Sequence, residues 1–257
     1  MEALADPSCG WFYRRDAGSF SKIPGSPIAY WASVGLLDSF KSGIPLEAIC
    51  QPKKGLGTGN KDLFMRYWWE PSQKRIFYNA NNREEAMGSG CRWFPHNKGG
   101  EFRKWFGNSE YVVNWENDGN AIKRYKNDNG QLAARPQNQD CYFRECVTWS
   151  KISSGRLAFR YKHIGGIFNE VAPAFFGDKR LILGLEGYLN SSVCNEVAKA
   201  LSPTLDFQVG QVATYPVELD TLLASPSSEI AADCTTISKA DWDSLETSRD
   251  FRRHPLI

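Results

Sequence analysis

Histidine and methionine are scarce in this chain, three of each in 257 residues, and long apolar runs are missing. His96, His163 and His254 stand far apart and match no metal-ligand spacing. The seven cysteines are Cys9, Cys50, Cys91, Cys141, Cys146, Cys194 and Cys234, and the close pair in CYFREC has no second pair to complete a zinc site. An odd, scattered set argues against a disulfide framework, so free thiols and no metal are expected. No apolar stretch approaches the roughly 20 residues that cross a bilayer. The first thirty residues carry no apolar core after a basic start, so no secretory signal is expected. The expectation is a soluble, cytoplasmic protein with no membrane partner.

Catalytic signatures are missing too. There is no Gly-x-Ser-x-Gly elbow and no His-Glu-x-x-His zinc helix. Asn-Pro-Pro-Tyr, with which adenine methyltransferases hold a flipped base, occurs nowhere. Glu101, Glu110 and Glu116 read as solvated carboxylates. The stretch KKGLGTGNKDLFMRYWW, with Gly55, Gly57 and Gly59, invites a nucleotide-cradle reading. A P-loop needs Ser or Thr after its lysine, but Lys61 is followed by Asp62. A dinucleotide or S-adenosylmethionine loop needs an apolar strand in and a helix out. Here the approach is CQPKKG and the exit is an aromatic run with the character of a strand. Glycines and Asn60 suit a tight hairpin, because they tolerate positive φ.

What the chain has in plenty is aromatic side chains: 9 Trp, 10 Tyr and 15 Phe, which favour a sheet-rich fold. Net charge is only +2, yet residues 53–104 carry 11 basic and 5 acidic groups. That local excess suits an anionic partner, a solvated face being the alternative. GSPIAYWASVGLLDSF predicts a helix over Ser26–Phe40, capped by Ser26 with Pro27 at its first position. From Leu56 to Phe168 short apolar runs between Gly, Asn, Asp and Pro clusters predict strands and loops, with a short helix near NAIKRY. KRLILGLEGYLNSSVCNEVAKALS predicts a strand feeding a helix capped by Asn190 or Ser191. DFQVGQVATYPVEL predicts another strand. The tail opens on a capping-box pattern, Ser238 and Asp241.

The blocks FSKIPGSPIAYWAS, KGLGTGNKDLFMRYWWE, WFPHNKGGEFRKWFGNSEYVVNWENDG, VTWSKISSGRLAFRY and GYLNSSVCNEVAKALSPTLDFQVGQV occur in that order. Together they resemble the region after the catalytic domain in large adenine-specific DNA methyltransferases, the PglX type of the BREX phage-defence systems. The resemblance covers roughly residues 10–257. It implies a target-recognition domain that reads double-stranded DNA beside the methylated base. The S-adenosylmethionine loop and the catalytic motif would lie in an N-terminal methyltransferase domain, so no cofactor and no catalysis are expected of this chain itself. Met1 and the terminal RRHPLI then read as boundaries within a longer enzyme.

The expected fold is mixed α/β (α+β), a curved and mostly antiparallel sheet with a few helices and a helical C-terminal tail. Its expected parts are a helical linker (1–52), the recognition domain (53–218) and the tail (219–257). Sequence-specific binding needs cations on phosphates and polar groups on base edges. Candidate phosphate contacts are Lys53, Lys54, Lys98, Arg103 and Lys104, with Asn97 in the NKGGEFRK loop. Candidate base readers are Thr58, Asn60, Arg66, Ser150, Lys151 and Arg156, for each of which a turn-stabilising hydrogen bond is the alternative. Asn190 and Ser191 read as helix caps. Trp68, Trp69, Trp93, Trp105 and Trp115 read as core packing rather than base stacking. A different class of function is docking of other defence proteins or of a DNA-mimicking phage inhibitor; the mimic would use the same basic surface, whereas an apolar docking surface would lack the steep salt dependence of DNA binding.

Overall fold

Capping side chains set where the helices begin. The computed structural model describes residues 6, 13, 15–153, 156–202, 204, 206–254 and 256; Cys9 lies outside these. Helix α1 (Val34–Ser42) starts where Ser33 Oγ accepts from the Leu36 N–H at 3.1 Å, not at Ser26. Ser26 has φ 47°, whereas an N-cap is extended. The stretch before α1 is closed by short bonds instead, Ala29 N–H to Pro27 O and Ala32 N–H to Ala29 O.

Eleven short strands occur among the described residues. They are β1 (Ile44–Pro45), β2 (Leu56–Gly57), β3 (Met65–Tyr67), β4 (Trp93–Asn97), β5 (Tyr111–Asn114), β6 (Arg135–Pro136), β7 (Cys146–Trp149), β8 (Phe159–Lys162), β9 (Ile167–Phe168), β10 (Ala174–Phe175) and β11 (Pro216–Val217). The fold is mixed α/β, but the strands form four small sheets rather than one curved sheet. The largest has the order β3-β5-β4-β9, antiparallel except for β4–β9. A second is β10-β7-β8, and β2–β6 and β1–β11 are two-stranded. The β1–β11 pair, Ile44 opposite Val217, links the expected linker to the far end of the expected recognition domain.

Two apolar clusters follow from this layout. In one, Val147, Trp149, Phe159 and Tyr161 of the β7–β8 sheet meet helices α2 (Lys179–Leu189), α3 (Ser192–Leu201) and α4 (Ser227–Trp242). In the other, Phe94, Val113 and Phe168 of the four-stranded sheet pack with Phe64, Trp115, Tyr142 and Phe143. Helix α2 replaces the strand expected at KRLILG. Asp178 caps it by accepting from Leu181 N–H, and Ile182, Leu185 and Leu189 bury at helical spacing. Ser191 caps α3 as expected, Oγ accepting from Cys194 N–H at 3.2 Å. The strand expected at DFQVGQV is a helical turn, Val209–Ala213, ahead of β11. Helix α4 begins well before Ser238, so Ser238 and Asp241 lie inside it and start nothing. Glu186 on α2 is fully buried against α4, accepting from Thr235 Oγ1 at 3.4 Å, and burial raises its carboxyl far above the usual range. No helix among the described residues is long and apolar enough to cross a membrane.

Candidate nucleic-acid interface

The glycine stretch is a packing device. A Cβ on Gly55 would stand 2.0 Å from Phe168 O, and Gly55 N–H donates to Asn169 O. Gly59 has φ +72°, and its Cβ would meet Ala133 carbonyl carbon at 2.7 Å. Only glycine lets this backbone pass so close to residues 133 and 168. The stretch is a turn, but β2 pairs with β6 rather than with β3, so it is no hairpin. Its exit makes one helical turn, Lys61–Phe64, before β3. Asn60 Oδ1 caps that turn from Leu63 N–H at 3.0 Å, and its Nδ2 donates to Tyr125 Oη at 3.0 Å. Thr58 is buried. Both candidate readers on the turn therefore face inward.

The second basic loop, residues 98–109, is pinned by cations from beneath. Strand β8 reads Phe-Arg-Tyr-Lys, and its period of two sends Phe159 and Tyr161 to the apolar cluster and Arg160 and Lys162 to the other face. Arg160 Nη1 donates to Arg103 O at 3.0 Å, and Nη2 donates to Ser150 Oγ at 2.9 Å. Lys162 Nζ donates to Gly107 O, Asn108 O and Ser109 Oγ at 2.6, 3.0 and 2.7 Å. Burial, with the neighbouring Arg160 charge, pushes the Lys162 ammonium down to about 7, and the Glu110 carboxylate opposes that shift. Ser150 Oγ closes the network, donating to Gly100 O and accepting from Gly100 N–H.

Four of the eight candidate cations are engaged within the chain by carboxylates or a buried carbonyl. Lys104 Nζ donates to Asn190 O at 2.6 Å, and burial lowers its pKa. Arg103 pairs with Asp241 at 3.3 Å and lies over the Trp242 ring. Lys53 lies 3.8 Å from Asp140, and Lys151 lies 3.9 Å from Asp206. Asn97 is buried in β4. Arg156 is exposed on a shallow surface shared with Phe102 and Ile237.

Among the described residues no carboxylate lies within 4.0 Å of Lys54, Lys61, Arg66 or Lys98. Lys61, Arg66 and Lys98 line one groove with Tyr67 and Tyr111, and Asp62 and Glu70 share it. Arg66 Nη1 is held by Asp62 O and Met65 O, both at 2.6 Å, so its charge is oriented but not neutralised. Beside the groove runs a ladder of rings. Trp69 stacks on Tyr67 at 4.6 Å and 7°, Tyr67 stacks on Tyr111 at 4.8 Å, and Lys98 Nζ caps Tyr111 at 4.5 Å.

Of the five tryptophans expected in the core, Trp93 and Trp115 are buried and Trp68 and Trp105 are half-buried. Trp69 departs from that expectation at 45% exposed. Sequence reasoning nominated neither Tyr67, Tyr111 nor Lys61 for the site. The two-residue spacing of Tyr67 and Trp69, where β3 runs into a turn, was the available signal.

The chain is 37% identical over its whole length to the adenine-specific methyltransferase PglX of Lacticaseibacillus casei (strain Zhang). Over 93% of its length it is 39% identical to the adenine-specific methyltransferase BrxX of Escherichia coli O9:H4 (strain HS). The chain matches one region of PglX-type adenine-specific methyltransferases. It spans 21% of PglX and 18% of BrxX. No protein-family model matches the chain.

Proposed function

We propose that this PglX-like chain is the target-recognition region of an adenine-specific DNA methyltransferase in a BREX-type phage-defence system. It holds duplex DNA while other parts of the enzyme bind S-adenosylmethionine and transfer the methyl group. The observation that carries this reading is the gathering of Lys61, Arg66 and Lys98, without carboxylate partners, around one groove. Unneutralised cations at an exposed groove attract a polyanion, and each phosphate they meet releases counterions. Both hydrogens of Arg66 Nη1 are spent on the two carbonyls, which leaves Nε and Nη2 to meet a phosphate or a guanine edge. The enzyme works in the bacterial cytoplasm, where its DNA lies.

The test is duplex affinity against salt. Log affinity falls by about 0.9 per neutralised phosphate for each unit of log salt. The Lys61→Ala, Arg66→Ala, Lys98→Ala variant should flatten that slope by roughly two to three units. An unchanged slope and affinity would sink the groove as the DNA contact. An acidic protein, such as a DNA-mimicking inhibitor, would use the same cations and compete with DNA for them.

A further inference from the structure

The ring ladder beside the groove stays open to solvent. Tyr67 is 40% exposed and Trp69 45% exposed, although large rings are more often covered. Trp68 meets Trp69 edge-on at 5.6 Å and is itself fixed, its Nε1 donating to Thr247 O. Trp69 is thus held in place while remaining open to solvent. Its plane is parallel to Tyr67 within 7° at a stacking distance, so a flat ring laid on Trp69 would continue the ladder.

We propose that Trp69 stacks an unpaired base, so that this groove takes a single strand or a locally opened stretch of DNA. The choice of nucleic acid over an apolar protein partner rests on charge. The ladder ends under Lys98 and is flanked by Arg66 and Lys61, cations that a sugar-phosphate backbone satisfies and an apolar patch does not. Aromatic faces combined with cations along a groove are what binding of unpaired bases requires. The proposal rests on the DNA-binding reading of the same groove but asks more of it, since a duplex hides its base faces.

The experiment compares this chain's binding to a perfect duplex, a duplex with one unpaired 2-aminopurine, and a single strand. Stacking on Trp69 should quench the 2-aminopurine on binding. Trp69→Ala should weaken the unpaired-base duplex about fivefold or more and abolish the quench, leaving the perfect duplex within about twofold. Trp69→Phe should retain the quench, which separates stacking from loss of fold. Salt-sensitive duplex binding that ignores both Trp69→Ala and the unpaired base would overturn the proposal and leave the duplex reading standing. Binding to the single strand alone, with quenching, would uphold the stack and remove the duplex reading. No binding to any of the three DNAs would remove both and assign the ladder to a protein.

Discussion

The Lys104 ammonium donates to the main-chain carbonyl of Asn190 at 2.6 Å, at the residue that closes helix α2. A cation at a helix C-terminus meets the negative end of the helix dipole and satisfies a carbonyl that the helix leaves open. Lys104→Ala should therefore cost about 1 kcal/mol in urea unfolding and leave the salt slope of DNA binding unchanged. Lys98→Ala should do the reverse. Equal slopes in wild type and Lys98→Ala would show that neither lysine meets phosphate.

Ser150 offers a second contrast. Its hydroxyl serves Gly100 N–H, Gly100 O and Arg160 Nη2 together, in a site where Arg160 is fully buried. Ser150→Ala strands a guanidinium hydrogen and both groups of Gly100, which should cost roughly 2–3 kcal/mol. Thermal unfolding measures the loss, and a variant as stable as wild type would show that water replaces the hydroxyl.

Gly55→Ala tests the packing account of the glycine stretch. The new methyl would lie 2.0 Å from Phe168 O and 2.7 Å from the Phe168 ring. The backbones of residues 55 and 168 must separate, at a cost of about 1–3 kcal/mol. Nucleotides should leave the melting temperature of the wild type unmoved, because the turn is filled by the chain itself.

The stability that His96 supplies should fall on mild acidification, while the raised carboxyl of Glu186 acts in the opposite direction. His96 is buried, with Nδ1 against Ile167 O at 2.9 Å and Nε2 against Asn169 Nδ2 at 2.9 Å. These partners suit a neutral ring that donates from Nδ1 and accepts at Nε2. Desolvation lowers its pKa from 6.5 to about 4. The unfolded chain therefore binds the proton first, and the stabilisation is full above pH 6.5 and is lost as pH falls towards 4. Between pH 7.5 and 5 the loss should be roughly 2 kcal/mol. Urea titrations of wild type and His96→Asn at the two pH values check this: stability relative to the variant should drop by about that amount at pH 5, the Glu186 contribution cancelling.

The mixed α/β class, the cap at Ser191 and the C-terminal helix were legible in the chain, because caps and apolar spacing are local signals. The start of α1 was misplaced because Ser26 and Ser33 are both plausible caps, and only the backbone at residue 26 separates them. KRLILG reads equally well as strand or helix over six residues, and burial against α4 decides it. The groove was half legible. Charge counting found the segment that holds Lys61, Arg66 and Lys98, but not which cations are neutralised, since Asp140, Asp206 and Asp241 approach theirs from distant sequence. Thr58, Asn60 and Ser150 are polar residues on motif blocks whose partners lie within the protein.

The β1–β11 pair has a consequence for synthesis. Ile44 lies opposite Val217, and beside them Ser42 Oγ donates to Glu218 Oε1 across 176 residues of chain. A ribosome adding about 5–20 residues per second leaves β1 without its partner for roughly 9–35 s. During that interval the β1 backbone stays unpaired, and the face of α1 that holds Leu37 stays uncovered by β11 and available to chaperones. Strand β1 is paired only after the chain between residues 45 and 216 has emerged.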